Sequence, residues 1–368
     1  MNDLPPAARL PLLFLGMISL LAGVTAGLAR LAWDVPPLAA GAAGWHGALM
    51  IPAFFGTVIA LERAVAIGRL WAYAAPAAAG LGGLCLIAGA PVAAAQTLAV
   101  IGAAVMLAAS LHVLRRLTAP FTIVLALGAA CWLIGGLAWL ASGGLAVAVP
   151  WWLAFLVLTI AGERLELTRF LPTPPLAQRL FIAIVTIILF GAALSLGQAD
   201  TGLRLFAGGL LALAAWLLRY DIARRNAQQA GLTRYIALCL LSGYVWRARA
   251  GARGLAGALA PGHAWRDAAL HALALGFVFA MVFGHAPIIF PAVARVKIPY
   301  HPAFYLPLLA LHASLAWRIG GGLAGYFAMQ RGGAAANAGA LLLFIAIVLT
   351  SVVRGRRPTL EERSHETS

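Results

Sequence analysis

Eight histidines stand in a chain of 368 residues. Two of them bracket the stretch HALALGFVFAMVFGH, which runs from His271 to His285. Imidazole can ligate a transition metal in its neutral form, carry a proton near neutral pH, or bond one buried element to another. Fourteen residues of α-helix advance about 21 Å and return to within about 40° of the starting face. The two rings therefore share a face at different depths, which predicts two sites, or one site and an approach to it. His263, His301 and His312 crowd the same late region, while His46 and His112 lie early and His365 lies in a polar tail.

The elements that must position these rings are set by composition. Hydrophobic residues make up 63% of the chain and charged residues only 10%, with a mean hydropathy of +0.93. Apolar runs of roughly 18 to 25 residues recur from end to end, each long enough to cross a bilayer as a helix. Lipid offers no partner to open backbone groups, so helices are required. The pattern predicts an all-α polytopic membrane protein of about 12 transmembrane helices. The spans fall near 11–32, 44–68, 72–92, 96–116, 119–141, 148–170, 177–197, 202–220, 231–250, 266–291, 302–319 and 334–353, with Pro76 read as interrupting the third. Residues 1–10 form an N-terminal segment, 11–353 a single membrane domain, and 354–368 a polar tail.

Most of the basic residues lie at the ends of even-numbered spans, among them Arg63, Arg69, Arg115, Arg116, Arg164, Arg219, Arg224, Arg225, Arg295, Lys297 and Arg354. The positive-inside rule then places both termini in the cytoplasm, in a bacterial-type inner membrane. The net charge of +15 is explained by topology and by anionic lipid, so the bilayer is the expected partner and nucleic acid is not. The first apolar run exceeds the core of a secretory signal and reads as a retained helix. Cys85, Cys131 and Cys239 lie singly in apolar spans, and no CxxC or CxxCH occurs, so disulfides, thiolate metal sites and covalently attached haem are not expected.

A repeat is visible in the chain. AFFGTVIALERAVAIGR (53–69) and AFLVLTIAGERLELTRF (154–170) share six of their first eleven positions, including Glu-Arg at 62–63 and 163–164. GFVFAMVFGH ends with His285 at the corresponding place. This spacing predicts three pseudo-repeated four-helix units. Each Glu-Arg pair reads either as a proton-handling carboxylate with its counter-ion or as an ion pair at the interface with a snorkelling arginine.

His46 opens the second span and His271 lies one to two turns into the tenth, so the two reach similar depth from the same side. Two neutral imidazoles facing each other across a bundle are a usual way to hold a six-coordinate haem iron; the alternative is a pair of interfacial histidines bonded to backbone or water. With WHGALM opening the second of twelve helices and a tenth-helix histidine at matching depth, the chain resembles the catalytic subunit of haem-copper oxidases. It resembles more closely the NnrS-like haem-copper membrane proteins linked to nitric oxide and denitrification. The resemblance implies a low-spin, non-covalent b-type haem on His46 and His271, copper as a second metal, and nitric oxide as a small gaseous ligand. The sixth and seventh spans contain no histidine where those oxidases bind copper, and the HxH of their tenth helix is missing, so an oxidase-type binuclear centre is not expected.

Arginines that break the positive-inside pattern gather near the late helices: Arg247, Arg249 and Arg253 after the ninth span, Arg266 before the tenth, Arg318 at the end of the eleventh. They read as partners for haem propionates, Arg266 and Arg249 above all, or as solvated loop charge. His285, His301 and His312 read either as an inner haem or copper site or as a proton or ligand path and polar contacts between helices. A cofactor-free secondary transporter, with Pro76 and Pro307 as its helix breaks, is the competing function.

Overall fold

The computed structural model describes residues 3–169 and 174–355, and these residues form helices connected by short turns. Ten helices are long and apolar enough to cross a membrane: α1 (Pro6–Ala29), α2 (Ala43–Ile67), α3 (Leu70–Ile87), α4 (Val92–Arg116), α5 (Pro120–Ser142), α6 (Leu145–Thr168), α7 (Pro175–Leu194), α8 (Ala199–Tyr220), α10 (Arg266–Ala294) and α12 (Phe327–Gly355). The chain is thus a multi-pass membrane protein. Two further long helices, α9 (Gly231–Leu255) and α11 (Tyr305–Leu323), are less apolar because they carry Arg234, Arg247, Arg249 and Arg253, and His312 and Arg318. Arg247 and Arg318 are buried, so part of what lowers the hydropathy of these helices is the polar content of the interior.

Local chemistry sets the helix ends. Proline stands in the first positions of α1, α5 and α7, where its missing N–H has no partner to lose. Gly68 ends α2 in the left-handed region, at φ 66°, which glycine enters without a Cβ clash. The expected interruption at Pro76 is not found. A 3₁₀ turn over Leu70–Tyr73 runs into α-helix at Ala74, which puts Pro76 in the first α-helical turn, where proline is tolerated. Pro307 sits likewise in the first turn of α11. The first helix begins at Pro6 and takes in half of the predicted N-terminal segment. Residues 356–368, nearly all of the predicted polar tail, lie outside the described residues.

Helices adjacent in sequence pack side by side, and α1 closes against both α10 and α12. At the starting end of α1, buried Arg9 donates to Asp3 Oδ2 (2.7 Å), to the Leu4 carbonyl (2.9 Å) and to the Val293 carbonyl in the last turn of α10 (3.3 Å). Tyr73 Oη donates to the other oxygen of Asp3 (2.8 Å), which joins α1, α3 and α10 at one point. The most enclosed helices are α6 and α10, with 72% and 67% of their most apolar stretch buried.

Both helices that carry the predicted outer histidines leave α geometry directly after them. In α2, Leu49–Phe55 is π-helical and contains Pro52; in α10, Ala272–Phe279 is π-helical. A π turn adds a residue to the helical circuit and turns the side chains before it relative to those after it, and such turns recur at functional sites.

Candidate functional site

A cavity of about 350 Å³ opens at the end of the bundle where α1 and α11 finish and α2, α6, α10 and α12 begin. Its walls are mainly apolar, with Val149, Leu153 and Leu156 from α6 and Leu275 and Phe279 from the π turn of α10. The polar groups are few: His46, His271, Asp267, Arg30 and Arg318, with Gln330 and Asn337 from α12. That division, an apolar chamber with a handful of placed polar groups, is the usual make-up of a cofactor pocket.

His46 and His271 face each other in this chamber, with ring centroids 6.1 Å apart and planes 20° from parallel. Their hydrogen bonds determine which nitrogen is available. His46 Nδ1 lies 2.7 Å from the Gly23 carbonyl on α1, and His271 Nδ1 lies 2.9 Å from the Asp267 carbonyl one turn back on α10. A carbonyl oxygen only accepts, so Nδ1 carries the proton in both rings and Nε2 keeps its lone pair. Neither Nε2 has a hydrogen-bond partner among the described residues. A protonated, anchored Nδ1 and an open Nε2 is the state in which imidazole binds a metal.

The surroundings hold both rings in place. A Cβ on Gly27 would lie 2.8 Å from His46 Cε1 and 2.9 Å from its Nδ1, so α1 can approach the imidazole this closely only with glycine there. On α10, Asp267 Oδ1 lies 3.1 Å from His271 Nδ1. The same carboxylate accepts a two-pronged pair of bonds from Arg318, Nε to Oδ2 at 3.0 Å and Nη2 to Oδ1 at 2.7 Å. Carboxylate, imidazole and guanidinium thus form one chain, in which Arg318 fixes Asp267 and Asp267 orients His271. Asp267 escaped the sequence reading, although the signal was present: Asp and His four residues apart on a helix share a face.

The predicted arginines divide. Arg318 lines the cavity beside Arg30, which the sequence reading did not single out, and Arg266 lies within electrostatic reach of Arg30, its buried Nε without a partner among the described residues. Arg249 lies instead on an exposed stretch of α9, its guanidinium 4.9 Å from the Trp246 ring, and Arg253 donates to the Arg249 carbonyl. Arg247 does not follow the ninth helix, as the sequence suggested. That helix continues to Leu255, and Arg247 is buried within it, 4.6 Å over the Phe277 ring.

The inner histidines are not brought together. His285 Nδ1 donates to the Met281 carbonyl (2.8 Å), and its Nε2 lies 3.0 Å from Arg164 Nη2, which can only donate. His312 Nδ1 accepts from Trp246 Nε1 (3.0 Å) and its Nε2 donates to Ser242 Oγ (2.9 Å). His301 is exposed and caps the turn before α11 by accepting from the Ala303 amide. Each thus spends ring nitrogens on protein partners. Among the described residues no three His, Cys, Asp or Glu side chains gather to hold a metal ion.

Neither Glu62 nor Glu163 forms an ion pair within 4 Å among the described residues. Arg63 lies within electrostatic reach of Glu62; Glu62, Arg164 and Arg63 lie within reach of Glu163, and Arg164 hydrogen-bonds to His285.

The family model described as Domain of unknown function (DUF8744) matches residues 9–353, and the chain belongs to that family. Neither a curated protein nor a solved structure matches the chain.

Proposed function

We propose that the chain is a haem-binding membrane protein similar to the NnrS-like group, with one non-covalent haem held by His46 and His271 and a role in handling nitric oxide. One observation carries this reading: two imidazoles on different helices face each other at 6.1 Å, each anchored through Nδ1, each with Nε2 open to an apolar chamber. Metal–imidazole bonds of about 2 Å fit within that spacing. When bound, haem iron would supply a one-electron redox centre. The residues of the chain do the rest. His46 and His271 would hold the iron, Asp267 would strengthen His271 as a donor, Leu153, Leu156 and Phe279 would exclude water, and Arg318, Arg30 and Arg266 would supply positive charge for carboxylate groups at the mouth.

The reading extends to twelve transmembrane helices, α9 and α11 included, arranged as three units of four. The three positions equated by the internal repeat support it, because Glu62, Glu163 and the Arg164–His285 pair gather in the inner half of the bundle. Both termini are assigned to the cytoplasm of a bacterial-type inner membrane from the placement of the basic residues. The transporter alternative loses its main support, since Pro76 and Pro307 both lie in first turns and break no helix.

The decisive experiment is a visible spectrum of the protein purified after expression with haem supplementation, oxidised and reduced. The expected result is a Soret band with the sharp α and β bands of a six-coordinate low-spin haem, at one haem per chain. A haem-free protein under those conditions overturns the proposal.

A further inference from the structure

On the side of α10 away from the cavity, the interior holds a cation that the chain itself leaves unsatisfied. Arg247 is fully buried, and its Nε, Nη1 and Nη2 all lack a hydrogen-bond partner among the described residues. Its guanidinium is walled by two rings, Phe277 at 4.6 Å and Tyr244 at 5.6 Å from their centroids. Phe277 belongs to the same π turn as Leu275 and Phe279, but those two line the outer cavity while Phe277 faces α9.

Asp221 is the carboxylate within electrostatic reach of Arg247, and only its Oδ2 is hydrogen-bonded, Oδ1 being buried without a partner among the described residues. One of its oxygens accepts from the Tyr244 hydroxyl, and a second guanidinium, Arg164, acts on the same carboxylate. Arg164 is itself 3% exposed, and its Nε is buried without a partner among the described residues. Arg164 acts on Glu163 as well, so what sets Arg247 apart is that the one carboxylate within its reach makes no hydrogen bond to it. Unmade bonds to buried charged groups are costly, and an uncompensated buried charge costs more still. Water could supply acceptors for the bare N–H groups, but it brings no compensating charge.

We infer that Arg247 is the centre of a binding site for one small monovalent inorganic anion in the middle of the bundle. Arg247 supplies a fork of N–H donors, Arg164 adds positive charge, and the edges of Phe277 and Tyr244 limit the guest to a compact ion. The site is separate from the haem chamber and requires no haem.

The test uses the full-length protein in detergent, prepared with and without haem, in gluconate buffer at constant ionic strength. Chloride, bromide and nitrate are titrated in turn. Binding is read from radiolabelled chloride and from the rise in unfolding temperature that a ligand specific to the native state produces. One saturable equivalent per chain is expected, with gluconate excluded, and Arg247→Leu is expected to abolish it. Asp221→Asn, which removes the competing negative charge, is expected to tighten binding by at least about tenfold. Absence of saturable binding of all three anions to the wild type overturns the assignment in favour of water, as does full binding in Arg247→Leu. If that variant fails to fold, unchanged or weaker binding in Asp221→Asn overturns it instead.

Discussion

The two histidines of α10 begin alike and end differently. His271 and His285 each donate Nδ1–H to the carbonyl four residues earlier, at 2.9 and 2.8 Å, which leaves Nε2 as the second nitrogen of each ring. At His271 that nitrogen has no hydrogen-bond partner among the described residues and the ring faces His46 in an apolar chamber, while at His285 it meets the Nη2 of Arg164 at 3.0 Å. The side chain and its anchor are the same, and the second nitrogen separates a candidate ligand from a structural contact. Counting histidines along an apolar helix therefore does not count metal sites.

The sharpest way to break this contrast is to delete each ring in turn. His46→Ala and His271→Ala are each expected to abolish the low-spin haem spectrum, because one lost axial ligand leaves a five-coordinate or empty site. His285→Ala should retain the full spectrum and haem content. A His285→Ala protein without haem, or a His271→Ala protein with the wild-type spectrum, would erase the distinction.

Asp267 tests how much of the outer site depends on support behind the ligand. Loss of such a partner typically costs 10- to 100-fold in metal affinity. Asp267→Ala is accordingly expected to weaken haem retention by about that factor and to shift the reduction potential, with the bands of a six-coordinate haem still visible at saturation. Unaltered affinity and potential would reduce the Asp267–His271 contact to helix-end electrostatics.

Smaller effects are expected from the arginines. Arg266→Leu should cost about 1.5–3 kcal/mol of haem binding through a lost charge-assisted bond, whereas Arg249→Leu, placed over Trp246 and away from the cavity, should leave haem binding as it is. Equal effects of the two substitutions would mean that the difference in their positions carries no consequence. The gentlest probe changes no chemistry at all: a cysteine at Thr118, in the turn between α4 and α5, should react with an impermeant thiol reagent only from the cytoplasmic side. Labelling from the opposite face would invert the bundle and place the haem chamber at the cytoplasmic surface.

Much of this arrangement was legible in the sequence, because apolar length and basic helix ends are strong signals. The predicted second, tenth and fifth spans agree with α2, α10 and α5 to within a few residues. The facing of His46 and His271 followed from their similar distance from the starts of two helices that begin at the same end of the bundle. Asp267 was missed because an acidic residue at a helix start reads as a terminus, and only its spacing to His271 marks it otherwise. The burial of Arg247 was missed for a related reason: an arginine near a helix end reads as interfacial, and the length of α9 beyond it is not coded by hydropathy once Arg249 and Arg253 intervene. The π turns were invisible, since LMIPAFF and ALALGFVF are as apolar as any regular helix. Leu49–Phe55 packs against α1, and Ala272–Phe279 against α9 and α11.

Those π turns carry a consequence for how such a site could arise and be lost. A π turn is an α-helix with one residue too many, and removing that residue lets the helix close again at 3.6 residues per turn. Shortening Ala272–Phe279 by one residue would swing everything before it by about 100° about the axis of α10 while leaving Ala280–Ala294 seated. His271 and Asp267 would leave the chamber together, with neither of them substituted. The facing of His46 and His271 is in that sense a matter of chain length, and a descendant that had lost a single codon could keep every histidine and lose the meeting of the two rings.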